Sequence, residues 1–140
     1  MVRADGRIDS EMIQLSRAAM MNCDDFVGLL VAASGGLQAA YQEALDEWRP
    51  EKPPVTTLFA ALGDRIAEDF GSTGVDTNRR IFSLIEQAME SRDQELVTTV
   101  ATGLIEALVT RAVRSESLWN EMAPLLGLRS LHHAEAWLAT

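Results

Sequence analysis

Three features of the sequence predict an all-α fold, a single compact bundle of about seven helices forming one domain over residues 1–140. Apolar residues recur three and four apart through every long segment, the spacing of one helix face. No stretch alternates apolar and polar residues with a period of two, so no strand is expected. One stretch, Val97 to Val113, is apolar on two sides: Val97, Val100, Ala101, Leu104, Leu108 and Ala112 form one stripe, and Ile105, Val109 and Val113 a second. A helix with so wide an apolar face packs against several neighbours, which places it at the centre. A short stack of helical hairpins is the alternative architecture; the lack of any repeat of fixed period counts against it.

Taken in order, residues 1–8 read as a flexible lead, and Met12, Leu15 and Ala19 mark an amphipathic helix from Asp9 or Ser10 to about Met21. Asn22, Asp24 and Asp25 offer caps to a very apolar helix through Phe26, Leu29, Leu30 and Ala33, which Ser34-Gly35-Gly36 should break. The next helix carries Leu37, Tyr41, Ala44, Leu45 and Trp48 on one side and is ended by Pro50, Pro53 and Pro54. Thr56 or Thr57 should cap the one after, with Leu58, Phe59, Leu62, Ile66 and Phe70 inward, Asp64, Glu68 and Asp69 outward, and Gly71 stopping it in the left-handed conformation. An exposed loop from Ser72 to Asp76 leads to a helix over Arg79 to Glu90.

The central helix is expected to open on a Ser91/Gln94 capping box, with Asp93 and Glu95 in its first turn and Arg111 and Arg114 in its last. Two shorter helices finish the chain: Glu116 to Leu126, closed by Gly127, and Leu131 to Ala139, capped by Ser130.

With 47% apolar residues, a chain of 140 can build a core without metal or disulfide staples. Cys23 is the only cysteine, which rules out an intramolecular disulfide, suits a reducing compartment, and reads as a small buried apolar residue. The polar start, MVRADGRIDS, has no apolar core of a signal peptide, and the longest apolar run, Phe26 to Ala33, is too short to span a bilayer. A cytoplasmic protein is expected. The net charge of −9 argues against direct nucleic-acid or anionic-membrane binding, because phosphate contacts need clustered Arg and Lys.

Chemistry-bearing patterns are sparse. His132-His133 with Glu135 is the only local set of metal-ligand types, but adjacent helical residues point about 100° apart and no second pair completes a site. The carboxylate pairs Asp24-Asp25, Asp46-Glu47 and Glu68-Asp69 read as caps or solvated faces, and the glycines lack phosphate-loop spacing. Arg79-Arg80 and the pair Arg111, Arg114 read as complements to helix dipoles or acidic neighbours. No catalytic residue, cofactor or metal ligand is expected, and the chain does not read as an enzyme.

Charge distribution says more. Between Asp24 and Asp76 ten acidic residues face Arg49, Lys52 and Arg65, ten minus three, a net −7. If the helices over Leu37 to Trp48 and Thr57 to Phe70 pack side by side, their outer faces merge into one acidic surface. The candidate partner-binding residues are Glu43, Asp46, Glu47, Asp64, Glu68, Asp69 and Asp76.

The succession DDFVGLLVAASGGLQAAYQEALDEW, PPVTTLFAALGDRI, RRIFSLIEQAMESRDQELVTTVATGLIEAL and PLLGLRS resembles a family of small all-helical bacterial proteins, themselves similar to immunity proteins encoded beside polymorphic or contact-dependent toxins. It covers roughly Asp24 to Ser130, mostly through apolar positions, and departs from the family where Gly35-Gly36 stands in place of a proline opening the third helix. The resemblance carries no catalytic residues. It implies a cytoplasmic protein that binds and neutralises a cognate toxin; the acidic helical face would occupy a basic cleft and speed encounter. A helical adaptor or structural subunit assembling through an apolar groove, and a phage-type inhibitor of a defence nuclease, are the alternatives. A helix-turn-helix regulator fits less well, since Arg and Lys are scarce near any recognition helix.

Overall fold

A computed structural model describes residues 20–140, which form seven helices and no strand. The helix expected before Met21 lies outside the described residues, except that Met20 and Met21 themselves are not helical. Helix α1 covers Cys23–Ala33 and opens on a reciprocal cap: Asn22 Oδ1 accepts from the Asp25 N–H at 2.8 Å, and Asp25 Oδ2 accepts from the Asn22 N–H at 3.1 Å. Ser34 ends α1 in an extended conformation, and its hydroxyl caps α2, Gly35–Trp48, by accepting from the Leu37 N–H. The expected break therefore falls on Ser34 alone. Gly35 and Gly36 lie inside the first turn of α2, where the Asp69 carboxylate occupies the space a Gly36 side chain would need.

Helix α3 covers Val55–Asp69 and starts differently from the expectation: Pro54 takes the cap position, and no side chain, Thr56 and Thr57 included, makes a capping hydrogen bond. Proline's fixed φ prepares that start without one. Gly71 does not adopt the left-handed conformation. The Ser72 and Thr73 hydroxyls instead donate to the Asp69 carbonyl, and buried Asn78 donates through Nδ2 to the Phe70 carbonyl at 3.1 Å. That clamp shortens the loop, and α4 runs over Val75–Met89, beginning four residues before the expected Arg79.

Helix α5 spans residues 94–112 in three consecutive parts: α-helical Gln94–Thr99, a π-helical turn at Val100–Ile105, and α-helical Glu106–Ala112. Asp93, not Ser91, caps it, accepting from the Leu96 N–H at 3.2 Å. Ser91 is recruited elsewhere: its buried hydroxyl donates to the Met21 carbonyl at 2.6 Å. Arg111 occupies the last turn as expected, whereas Arg114 lies beyond the helix. Helix α6, Glu116–Met122, is followed by one 3₁₀ turn, Ala123–Leu125, so it stops short of Leu126. Gly127 does not close it but precedes α7, Leu128–Leu138, which begins three residues before Leu131.

The core gathers around α5, which touches α3, α4, α6 and α7. Leu104, Ile105, Leu108 and Val109 are fully enclosed; of the two expected stripes only Val113, at the end, is exposed. Two ring pairs, Phe26 with Phe59 and Phe70 with Phe82, join α1 to α3 and α3 to α4. Where α3 crosses α5 the backbones themselves meet. A Cβ on Gly63 would collide with the Leu104 carbonyl, and one on Gly103 would stand 3.0 Å from both the Thr56 carbonyl oxygen and Phe59 Cβ. Each glycine costs about 1 kcal/mol of helix propensity and is compensated by this close approach. Among the described residues no helix is long and apolar enough to cross a membrane.

Helix α7 is held by polar bonds. Glu86 on α4 accepts from the N–H groups of Arg129 and Ser130, both at 3.0 Å, and from the Ser130 hydroxyl at 2.8 Å. Ser130 is thus not a cap but the buried end of a cap supplied by another helix. Gly127 is needed there because the Glu86 side chain fills the position of its missing Cβ.

Candidate partner-binding surface

Helices α2 and α3 pack side by side, which brings the expected carboxylates to one side of the molecule in part. Within the two helices there are six carboxylates, Glu43, Asp46, Glu47, Asp64, Glu68 and Asp69, and one cation, Arg65. Arg65 donates to Glu43 at 2.7 Å, lies 4.0 Å from Glu68, and also reaches the Gly36 carbonyl, tying α3 to α2. From α5, Arg111 donates to Asp64 at 2.7 Å and lies 3.7 Å from Glu68. Glu43, Glu68 and Asp64 are therefore linked by two guanidiniums into one row, three negative charges against two positive. The hydrogen bond that Arg111 donates to Asp64, with the charges of Asp64 and Glu68, holds Arg111 above its ordinary pKa.

The remaining members differ. Asp46 pairs with Arg49 at 2.7 Å, both ends well exposed, a contact of small energetic weight. Glu47 is exposed one residue further along α2. Asp69 is half-buried, its carboxylate lying over the first turn of α2, where the positive end of the helix dipole favours it. Asp76 sits in the first turn of α4, exposed. Asp64 and Asp69, expected on the outer face of α3, are both half-buried at seams between helices; Glu68 alone of the three is exposed.

Next to this row lies a shallow groove of about 520 Å³ between α3, α5 and α7. Asp64 and Arg111 form one wall. On the other side, His133 Nε2 lies 3.0 Å from Glu106 Oε2, and Trp137 Nε1 donates to Thr110 Oγ1 at 3.2 Å. His133 thus packs against α5 while His132 is exposed, and among the described residues no three His, Cys, Asp or Glu side chains cluster as a metal site would require. Asp24-Asp25 divide as cap and exposed neighbour. Cys23, expected to be buried, is half-buried. Burial, then Glu95, Asp93 and Asp24, pushes its thiol pKa up against a lowering hydrogen bond from Thr99.

Three residues escaped the sequence reading. Gly63 and Gly103 sit inside helical patterns, where an isolated glycine signals a close approach. Glu86 gave no signal, since its partners are 43 and 44 residues away. Comparison with models of known protein families, with curated proteins and with solved structures found no match to the chain.

Proposed function

We propose that this protein is a non-enzymatic binding protein of the immunity type, which neutralises a toxin by covering a basic cleft with the acidic surface of α2 and α3. The observation that carries the reading is the charge of that surface: six carboxylates in two adjacent helices against a single cation, with Arg111, among the described residues, the neighbouring guanidinium that bonds into the row. Such a surface speeds encounter with a cationic partner and repels nucleic acid. The ion-paired row gives rigidity to its middle, and the exposed carboxylates of Glu47, Glu68 and Asp76 give it reach. A cytoplasmic site of action goes with this role. The half-open apolar groove between α1, α2 and α3 favours the second reading, a helical adaptor assembling through apolar contacts.

The test is association kinetics with a partner co-purified from the native host. Reversing Asp46 and Glu47 to Lys alters exposed charges at the end of α2 without touching the Asp64–Arg111 bond. The on-rate should fall about tenfold or more at low salt and recover partly near 1 M salt, where the Debye length is about 3 Å. Unchanged kinetics in a folded double variant would remove this surface from the interface.

A further inference from the structure

Helix α1 carries no polar side chain from Phe26 to Ala33, a run broken only by Gly28, yet Gly28, Leu29 and Ala32 on it are exposed. A surface helix ordinarily turns polar residues outward, so an apolar outer side marks a face without a cover among the described residues. Between α1, α2 and the start of α3 the surface dips into a groove of about 340 Å³, at the small end of ligand-sized cavities. Val27 and Val31 form one wall, Tyr41 and Val55 the other, and Leu58 and Phe59 the floor. Gly28 keeps the α1 wall low, because nothing lies within 4 Å of where its Cβ would stand. Cys23 and Asp24 form the end of the groove, and the charges that bear on the Cys23 thiol, Glu95, Asp93 and Asp24, are all negative.

We infer that this groove is a docking cleft for a segment of a protein partner that carries an apolar anchor followed by Lys or Arg. The anchor fills the space over Leu58 and Phe59, and the cations lie at the Cys23 end against Asp24, Asp93 and Glu95. Charge complementarity selects this occupant over the others. A second copy of the chain would bring its own −9 to a site already edged with carboxylates, and a phosphate-bearing surface would meet the same repulsion. The inference rests on the binding role proposed above and adds to it a second contact, on a different edge of α2, with the partner's chemistry at that point.

Cys23, the only thiol, reports on the groove directly. The probes are two synthetic amphipathic helices with the same leucine stripe, one flanked by lysines and one by glutamates. At mildly alkaline pH the lysine peptide should slow maleimide modification of Cys23 by about fivefold or more, and the glutamate peptide should not. Gly28→Leu places a side chain in the open groove and improves helix propensity, so it should fold normally while weakening the lysine peptide about tenfold by fluorescence anisotropy. Asp24→Lys should weaken it by several-fold and remove much of its salt dependence.

Equal protection by both peptides, no protection by either, or full affinity in a folded Gly28→Leu variant would overturn the proposal. Protection without peptide also would: if it grows with protein concentration the occupant is a second copy, and if Leu15→Lys relieves it the occupant is the chain's own beginning. Failure here combined with a slowed native partner in the Asp46/Glu47 reversal discards the groove and keeps the acidic surface. The reverse pair of results keeps the groove and discards that surface.

Discussion

The crossing of α3 over α5 and the seat of α7 on α4 and α5 are built on opposite principles. At the crossing, two glycines let backbones touch, and the surrounding Leu62, Leu104 and Leu108 exclude water completely. At the seat, few apolar residues of α7 are buried, and the helix is held by Glu86 at its start, His133–Glu106 in its middle and Trp137–Thr110 near its end. The first arrangement tolerates no added atom on either backbone; the second depends on particular donors and acceptors and is tight only at Gly127, against the Glu86 side chain. Close backbone packing and dependence on particular polar partners are thereby assigned to different contacts of α5 and its neighbours.

The contrast is sharpest at Leu104. Leu104→Asp puts a charge into the fully enclosed crossing, and burying it unpaired costs several kcal/mol, comparable with a total stability of roughly 5–15 kcal/mol. No soluble folded protein should be recovered, as judged by circular dichroism of whatever is purified. Normal melting would show the crossing to be peripheral.

Gly63→Ala is next. Its gain of about 1 kcal/mol in helix propensity should be outweighed by an overpacking cost of about 3 kcal/mol, because the added carbon meets the Leu104 backbone and not a movable side chain. Urea unfolding should show a clear net loss; a gain would mean the helices part easily.

Glu86→Ala should cost about 2 kcal/mol by removing a charged acceptor from three hydrogen bonds. The loss should be local, visible as faster amide exchange at Arg129 and Ser130 ahead of the α5 amides. Uniformly faster exchange would mean that α7 unfolds with the core. Smallest is Trp137→Phe, which removes an exposed hydrogen bond worth about 0.5 kcal/mol together with the pyrrole part of a ring that is itself exposed. A melting shift as large as that of Glu86→Ala would move the weight of the α7 seat from its start to its end.

The same division decides what could be read from residues alone. Among the described residues helices appear where expected because their signal, the three-and-four spacing of apolar side chains, is carried inside each segment. Caps were legible only where local: Asn22 with Asp25 was, whereas α7 is capped by Glu86 from across the molecule and α3 starts on Pro54 without a side chain. Asn78 opens no pattern of its own, so the start of α4 at Val75 was hidden behind polar residues that only the clamp on Phe70 explains. Of the acidic residues, helix membership was readable, but the ion pairs of Asp64 and Glu43 were not, since Arg111 and Arg65 meet them from other helices.

The π-helical turn at Val100–Ile105 has a consequence for the length of the chain. Such a turn accommodates a residue more than the α-helical path would, so the halves of α5 on either side are set in rotational phase by their count of residues as well as by their identity. Deleting one residue between Val100 and Ile105 would leave a continuous, well-bonded α-helix, and because the wider turn absorbs the extra residue, Leu96 and Leu108 would keep nearly the phase they have now. A deletion inside this turn should thus be far milder than one in the α-helical part on either side, where it would swing the flanking side chains by about 100° around the axis.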